Sequence, residues 1–165
     1  SPPAFEALPA AGFTLSTEQA TGSGTAVTFG SIPTGTKVIY IMFTSVSDTA
    51  ETEYLVTIGD AGGLETSAYV STTMLSQTNN DDIPYTNTSG FVLNGRVVAG
   101  KNTGVVSLFL EDEDNFTWVC TSTFMKDAKT FYGAGFKSLS AELTQVSVSV
   151  ISGAFDLGAI NIMYS

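Results

Sequence analysis

Histidine is absent from the chain, which removes the commonest general base, the usual zinc and copper ligand, and every Ser-His or Cys-His nucleophile arrangement. A Ser-Lys pair is the remaining route to an activated hydroxyl, but no Ser-x-x-Lys occurs, and Lys137-Ser138 reads as an ordinary strand-edge lysine. Cysteine occurs once, as Cys120, so no internal disulfide can form. Its place in Phe116-Thr117-Trp118-Val119-Cys120 is that of a small buried apolar group.

Basic residues are scarce: 6 Lys+Arg stand against 16 Asp+Glu, and the net charge of −10 repels phosphate backbones and anionic headgroups. Nucleic acid is therefore not an expected partner. The longest apolar run, Val38 to Phe43, has the length of a strand and falls far short of the ~20 residues of a spanning helix, so membrane insertion is not expected. Charged residues are 13% of the chain, about half the usual ~25%, and Thr, Ser, Gly and Asn take their place, a balance typical of secreted or particle-surface β-proteins. The start, Ser1-Pro2-Pro3, lacks both Met and a signal-peptide pattern, as expected of a processed product or a fragment.

Three of the five prolines fall between Ser1 and Ala11. Residues 1–12 accordingly read as a Pro-rich arm or linker, and 13–165 as a single domain. Beyond the arm, apolar residues alternate with polar ones: Val27 and Phe29; Tyr54, Val56 and Ile58; Phe116, Trp118 and Cys120; Val146, Val148 and Val150; Ile160, Ile162 and Tyr164. Period two with polar intervening positions predicts antiparallel strands with one wet face, and two such sheets hide their apolar faces against each other. The expected fold class is all-β, an antiparallel β-sandwich. Turn signals at Gly22-Ser23-Gly24, Pro33-Thr34-Gly35, Asp60-Ala61-Gly62-Gly63, Asn94-Gly95, Asn102-Thr103-Gly104 and Ser152-Gly153 separate the strands. Only Phe13–Thr21 and Phe124–Phe131 are compatible with a turn of helix, and Ser76–Gly90 reads as one long irregular loop.

Two segments, Val38–Phe43 and Val105–Leu110, are apolar on both faces. Either loops roof them, or the outer face meets another copy of the chain.

Chemistry-bearing candidates are few. Glu111-Asp112-Glu113-Asp114-Asn115 is the densest carboxylate cluster, but it lacks the spacing and glycine of an EF-hand loop and reads as a solvated hairpin tip; calcium is the alternative. Asn79-Asn80-Asp81-Asp82 is weaker still. A glycosidase needs only two carboxyl groups, yet a single Trp and few tyrosines outside the strands do not make an aromatic cleft. Trp118 alternates with Phe116 and Cys120 and so reads as core. Asn87-Thr88-Ser89 and Asn115-Phe116-Thr117 match a glycosylation pattern common by chance in Thr-rich chains, and Gly59–Gly63 lacks the ending of a phosphate loop and reads as a turn. No catalytic residue, cofactor or metal site is expected, and no ligand-binding residue is assigned.

Four phrases together resemble the distal β-rich modules of tail fibres and related virion surface proteins of tailed bacteriophages: Phe29–Val38, Leu55–Tyr69, Lys137–Leu139 and Phe155–Tyr164. The last contains Gly158-Ala159-Ile160-Asn161-Ile162-Met163-Tyr164, the "G-x-I-N-I-x-Y" strand of such modules. The likeness runs from about Ala26 to Ser165 and comprises strand and turn phrases, so it carries over no functional residue. It implies a jelly-roll-like sandwich, often a homotrimer, on the virion surface among other virion proteins. The function it implies is non-enzymatic: a tail-fibre or receptor-binding module contacting bacterial surface polysaccharide, with a head-decoration (cement) protein as the alternative. A carbohydrate-binding module, with an exposed aromatic strip, or a small glycan depolymerase, with a close carboxylate pair, are the readings from other classes.

Overall fold

The structure, a computed structural model, describes residues 12–50, 52–76, 83–93, 100–127 and 129–165. The arm expected over residues 1–12 lies, but for Gly12, outside them, as do Asn79–Asp82 and the Asn94-Gly95 turn.

The described residues form strands and no helix. In chain order they are β1 (Thr14–Leu15), β2 (Gln19–Ala20), β3 (Ala26–Phe29), β4 (Val38–Asp48), β5 (Tyr54–Asp60), β6 (Gly63–Leu64) and β7 (Val70–Ser76). There follow β8 (Ile83–Thr86), β9 (Phe91–Val92), β10 (Asn102–Asp112), β11 (Thr117–Lys126), β12 (Lys129–Ser138), β13 (Gln145–Val150) and β14 (Phe155–Tyr164). The larger sheet has nine strands in the order β1-β14-β4-β10-β11-β12-β7-β8, with β2 also paired to β14; the smaller has the order β3-β13-β5-β6, with β9 also on β5. All pairs are antiparallel. The expected sandwich is what the chain builds.

Alternation explains the core. Ile39, Ile41 and Phe43 of β4, Val106 and Leu108 of β10, and Ile160 and Ile162 of β14 share one face of the larger sheet and are buried. They meet Val27 and Phe29 of β3, Val56 and Ile58 of β5, and Val146 and Val148 of β13. Each fully buried aliphatic side chain contributes roughly 1.5–3 kcal/mol. Trp118 and Cys120 belong to this core, as their alternation predicts. Edge-on aromatic pairs close it, Phe43 with Phe124 at 4.9 Å and Tyr69 with Phe91 at 5.0 Å between ring centroids. Gly104 makes the first possible: it lies between Phe43 and Phe124 in the ladder, and a Cβ there would stand 2.2 Å from the Thr123 carbonyl oxygen.

Three differences from the sequence reading have local causes. Phe13–Thr21 is not helical: it gives β1 and β2, which cap the free edge of β14. Phe124–Phe131 is a hairpin whose turn is made possible by Asp127, at φ +53°. Ser76–Gly90 is not one irregular loop, since Ile83–Thr86 forms the edge strand β8 against β7, where Pro84 is tolerated because one side of the strand needs no partner. The central strands share a line of irregularity: register shifts occur in β10 between Asn102 and Gly104 and in β14 at Leu157–Ala159, beside Ser45 of β4 at φ +53°. Gly158, at φ +96°, lies so close to Ser45 that a Cβ would meet the Ser45 carbonyl oxygen at 2.5 Å.

Candidate functional site

The acidic run ends β10 and forms a hairpin tip. The Asp112 carboxylate accepts the amides of Asp114 (2.8 Å) and Asn115 (3.1 Å) and the Asn115 side-chain amide (2.7 Å). These bonds, the Asn115 side chain's first, hold the Asp112 carboxyl below the ordinary carboxylate range. Glu113 is bound by Lys37 from the neighbouring loop. The Asp112 carboxylate thus serves the turn, and among the described residues no three His, Cys, Asp or Glu side chains converge as a metal site. Neither glycosylation-pattern asparagine is idle: Asn87 accepts the Ser89 amide, and Asn115 donates to Asp112.

Beside the tip, a cleft of about 350 Å³ opens between Gly35, Lys37, Leu110, Glu113, Phe116 and Glu142. Glu142 accepts the Gly35 amide, which ties the Pro33-Thr34-Gly35 turn to the loop before β13. Phe116, at φ +49°, turns a half-buried ring toward the core while lining this opening. Carboxylates, an ammonium and an aromatic surface converge here at an end of the sandwich.

A second polar cluster was not visible in the sequence. Asp60, at the end of β5, accepts the Ser140 hydroxyl and the Gly62 amide, both at 2.7 Å, and these hold its carboxyl low. Glu65 accepts the Ser140 amide at 2.7 Å and pairs with Lys137. Burial pushes the Glu65 carboxyl up, but the bonds from Lys137 and Ser140 outweigh it and leave it low. A glycosidase pair needs one carboxyl raised to act as proton donor. Here both are lowered, and both bind Ser140, Asp60 through its hydroxyl and Glu65 through its amide. Lys137 is not a strand-edge lysine: its ammonium is buried, donates to the Ser138 carbonyl at 2.8 Å, and lies 5.6 Å from the Tyr69 ring centroid. The Ser138 hydroxyl instead shares a hydrogen bond with Thr117, so no Ser-Lys dyad forms. Burial pushes the Tyr69 phenol up to about 12 and the Cys120 thiol well above its ordinary value.

The remaining feature is a surface. On the outer face of the larger sheet, the ladder aligns side chains in rows across the strands. Val70, Phe136, Val119 and Phe109 make one row; Thr72, Ala134, Thr121 and Ser107 make the next; Met74, Tyr132, Thr123 and Val105 make the third. In β4 the rows continue as Val38, Tyr40 and Met42, half-buried, with Phe13 laid on Tyr40 at 5.5 Å between centroids. None of these residues is charged. The doubly apolar segments Val38–Phe43 and Val105–Leu110 are the sequence trace of this face; its contributions from β7, β11 and β12 were missed because single apolar residues among threonines give no run.

Comparison with protein-family models, with curated proteins and with solved structures gives no match. No helix among the described residues is long and apolar enough to cross a membrane, which says nothing of strands.

Proposed function

We propose that this chain is a non-enzymatic structural module of a tailed-phage particle surface, a tail-fibre or receptor-binding unit that assembles through its larger sheet and contacts bacterial surface glycan at a loop end. The observation that carries the reading is the uncharged outer face of that sheet, because a broad uncharged surface that exposes Val70, Phe109, Tyr132 and Phe136 on a chain of net charge −10 serves contact with protein. The cleft lined by Lys37, Glu113, Phe116 and Glu142 supports glycan contact, since an aromatic surface beside carboxylates suits a sugar's apolar face and hydroxyls. The phrases from Phe29 to Tyr164 that resemble tail-fibre modules supply the particle.

Head decoration is the second reading, favoured by the breadth of a nine-stranded sheet whose uncharged outer face would lie against a shell. Immunogold microscopy of purified particles separates the two. Label at fibre tips supports the receptor-binding reading, label over the capsid moves the protein to decoration, and absence from particles overturns both. Sugar release from host envelope polysaccharide by the purified protein would overturn the non-enzymatic assignment.

A further inference from the structure

The three rows differ in height. Thr72, Ala134, Thr121 and Ser107 are small and form a trough across four adjacent strands; the flanking rows, with Phe136 and Phe109 on one side and Met74 and Tyr132 on the other, are ridges. A depression of about 270 Å³ lined by Thr72, Met74, Tyr132, Gly133 and Ala134 marks one end of the trough. Val70, Phe136 and Tyr132 are each about half exposed. Rows two residues apart along a strand are separated by roughly 6.6 Å.

We infer that a second copy of this chain packs on this face, sheet against sheet, about a two-fold axis that runs parallel to the rows and midway between trough and ridge. That operation places the Phe136 ridge of each copy in the trough of the other, so one patch completes itself, as an isologous contact requires. Three rows across the five strands β7, β12, β11, β10 and β4 at about 4.8 Å spacing cover roughly 480 Å² in plan, and more once the corrugation is counted, against about 800 Å² per partner in an interface of standard size. A threefold arrangement divides the face between two neighbours and leaves each contact about half that size.

Charge points the same way. The rows carry none, while acids stand farther along the strands on either side of them, Asp112 and Glu113 at the hairpin tip and Asp156 beyond the irregular line of β14. An uncharged centre with a charged margin accords with the depletion of charge at the core of a subunit interface. The one amide on these rows, Asn161, is already engaged within the chain: it donates to the Ser16 carbonyl and accepts the Ile162 amide. The inference rests on the proposed function only for its biological use.

Sedimentation equilibrium of the full chain tests it. The expected mass is about twice the 17.3 kDa of one chain, with association tightening as salt screens the repulsion between two anionic copies. Thr121→Lys, a charge in the trough, and Phe136→Ser, a shortened ridge, are each expected to weaken association about 100-fold or more. Thr66→Lys, an exposed loop change, is expected to leave it intact. Circular dichroism establishes that each variant is folded, and Phe136→Ser stands as the test if Thr121→Lys is not. A monomeric wild-type chain, a trimer, or a dimer indifferent to both face variants overturns the inference. A dimer that dissociates as expected but is absent from particles overturns the proposed function and leaves the interface standing.

Discussion

Lys137 of the larger sheet and Glu65, in the loop just after β6 of the smaller, form an ion pair at 2.5 Å, with the lysine buried and the carboxylate retaining some contact with water. That difference in exposure predicts unequal losses. Glu65→Ala leaves a buried ammonium without its counter-charge, at a cost of roughly 3 kcal/mol. Lys137→Met keeps the volume and leaves Glu65 with the Ser140 amide and water, costing about 1 kcal/mol. Urea unfolding of the two variants measures the difference; equal losses, or the reverse order, would show that the pair is not held as described.

Asp48 organises the entry to β5. Its carboxylate accepts the amides of Ala50 (2.9 Å) and Thr52 (3.3 Å) and the Tyr54 hydroxyl (3.0 Å). Tyr54→Phe keeps the ring against Phe155 and removes the hydroxyl with its bonds to Asp48 and Asn102, so a loss of about 2 kcal/mol is expected. Asp48→Asn should lose less than Asp48→Ala, because the side-chain oxygen can still accept a backbone amide. A melting temperature unchanged in Tyr54→Phe would remove the bond from the account.

The pH profile follows from which groups are shifted. Asp60, Glu65 and Asp112 are lowered, so what they contribute is full above the ordinary carboxylate range of about 4 and is lost as pH falls through their folded values. Tyr54 and Tyr69 are raised, chiefly by burial, so their contribution is full below the ordinary phenol value of about 10 and is lost as pH rises, toward about 12 for Tyr69. With no histidine, melting temperature is expected to be nearly flat from about pH 5 to about pH 9 and to fall on both sides. A step near pH 6.5 would contradict this.

Cys120 is a built-in reporter. It is buried in the core, and its thiol is held protonated. An aromatic disulfide reagent is expected to label it only at the rate of unfolding, and denaturant should raise that rate to the free-thiol value. Fast labelling of the folded chain would mean that β11 opens.

How far the residues announced the structure varies with the signal each carries. Val146, Val148 and Val150 alternate without interruption, and their strand was legible to within a residue. Phe116 belongs to the same alternation as Trp118 and Cys120, yet the strand begins at Thr117, because the hairpin turn needs Phe116 at positive φ and period alone does not report φ. Lys137 was misread because one lysine among polar residues looks exposed; its partner Glu65 is distant in sequence and meets it only through the packing of two sheets. The trough is of the same kind. Thr72, Ala134, Thr121 and Ser107 come from four strands, and only the register aligns them.

The place of β4 has a consequence for how the chain acquires its fold. Both its neighbours, β10 and β14, come from far along the sequence, so its backbone edges stay unpaired and its apolar face uncovered while the intervening chain is made. Such non-local pairing slows folding and leaves a sticky intermediate. The yield of soluble protein should therefore depend on synthesis temperature and on chaperones more steeply than the stability of the finished sandwich would suggest.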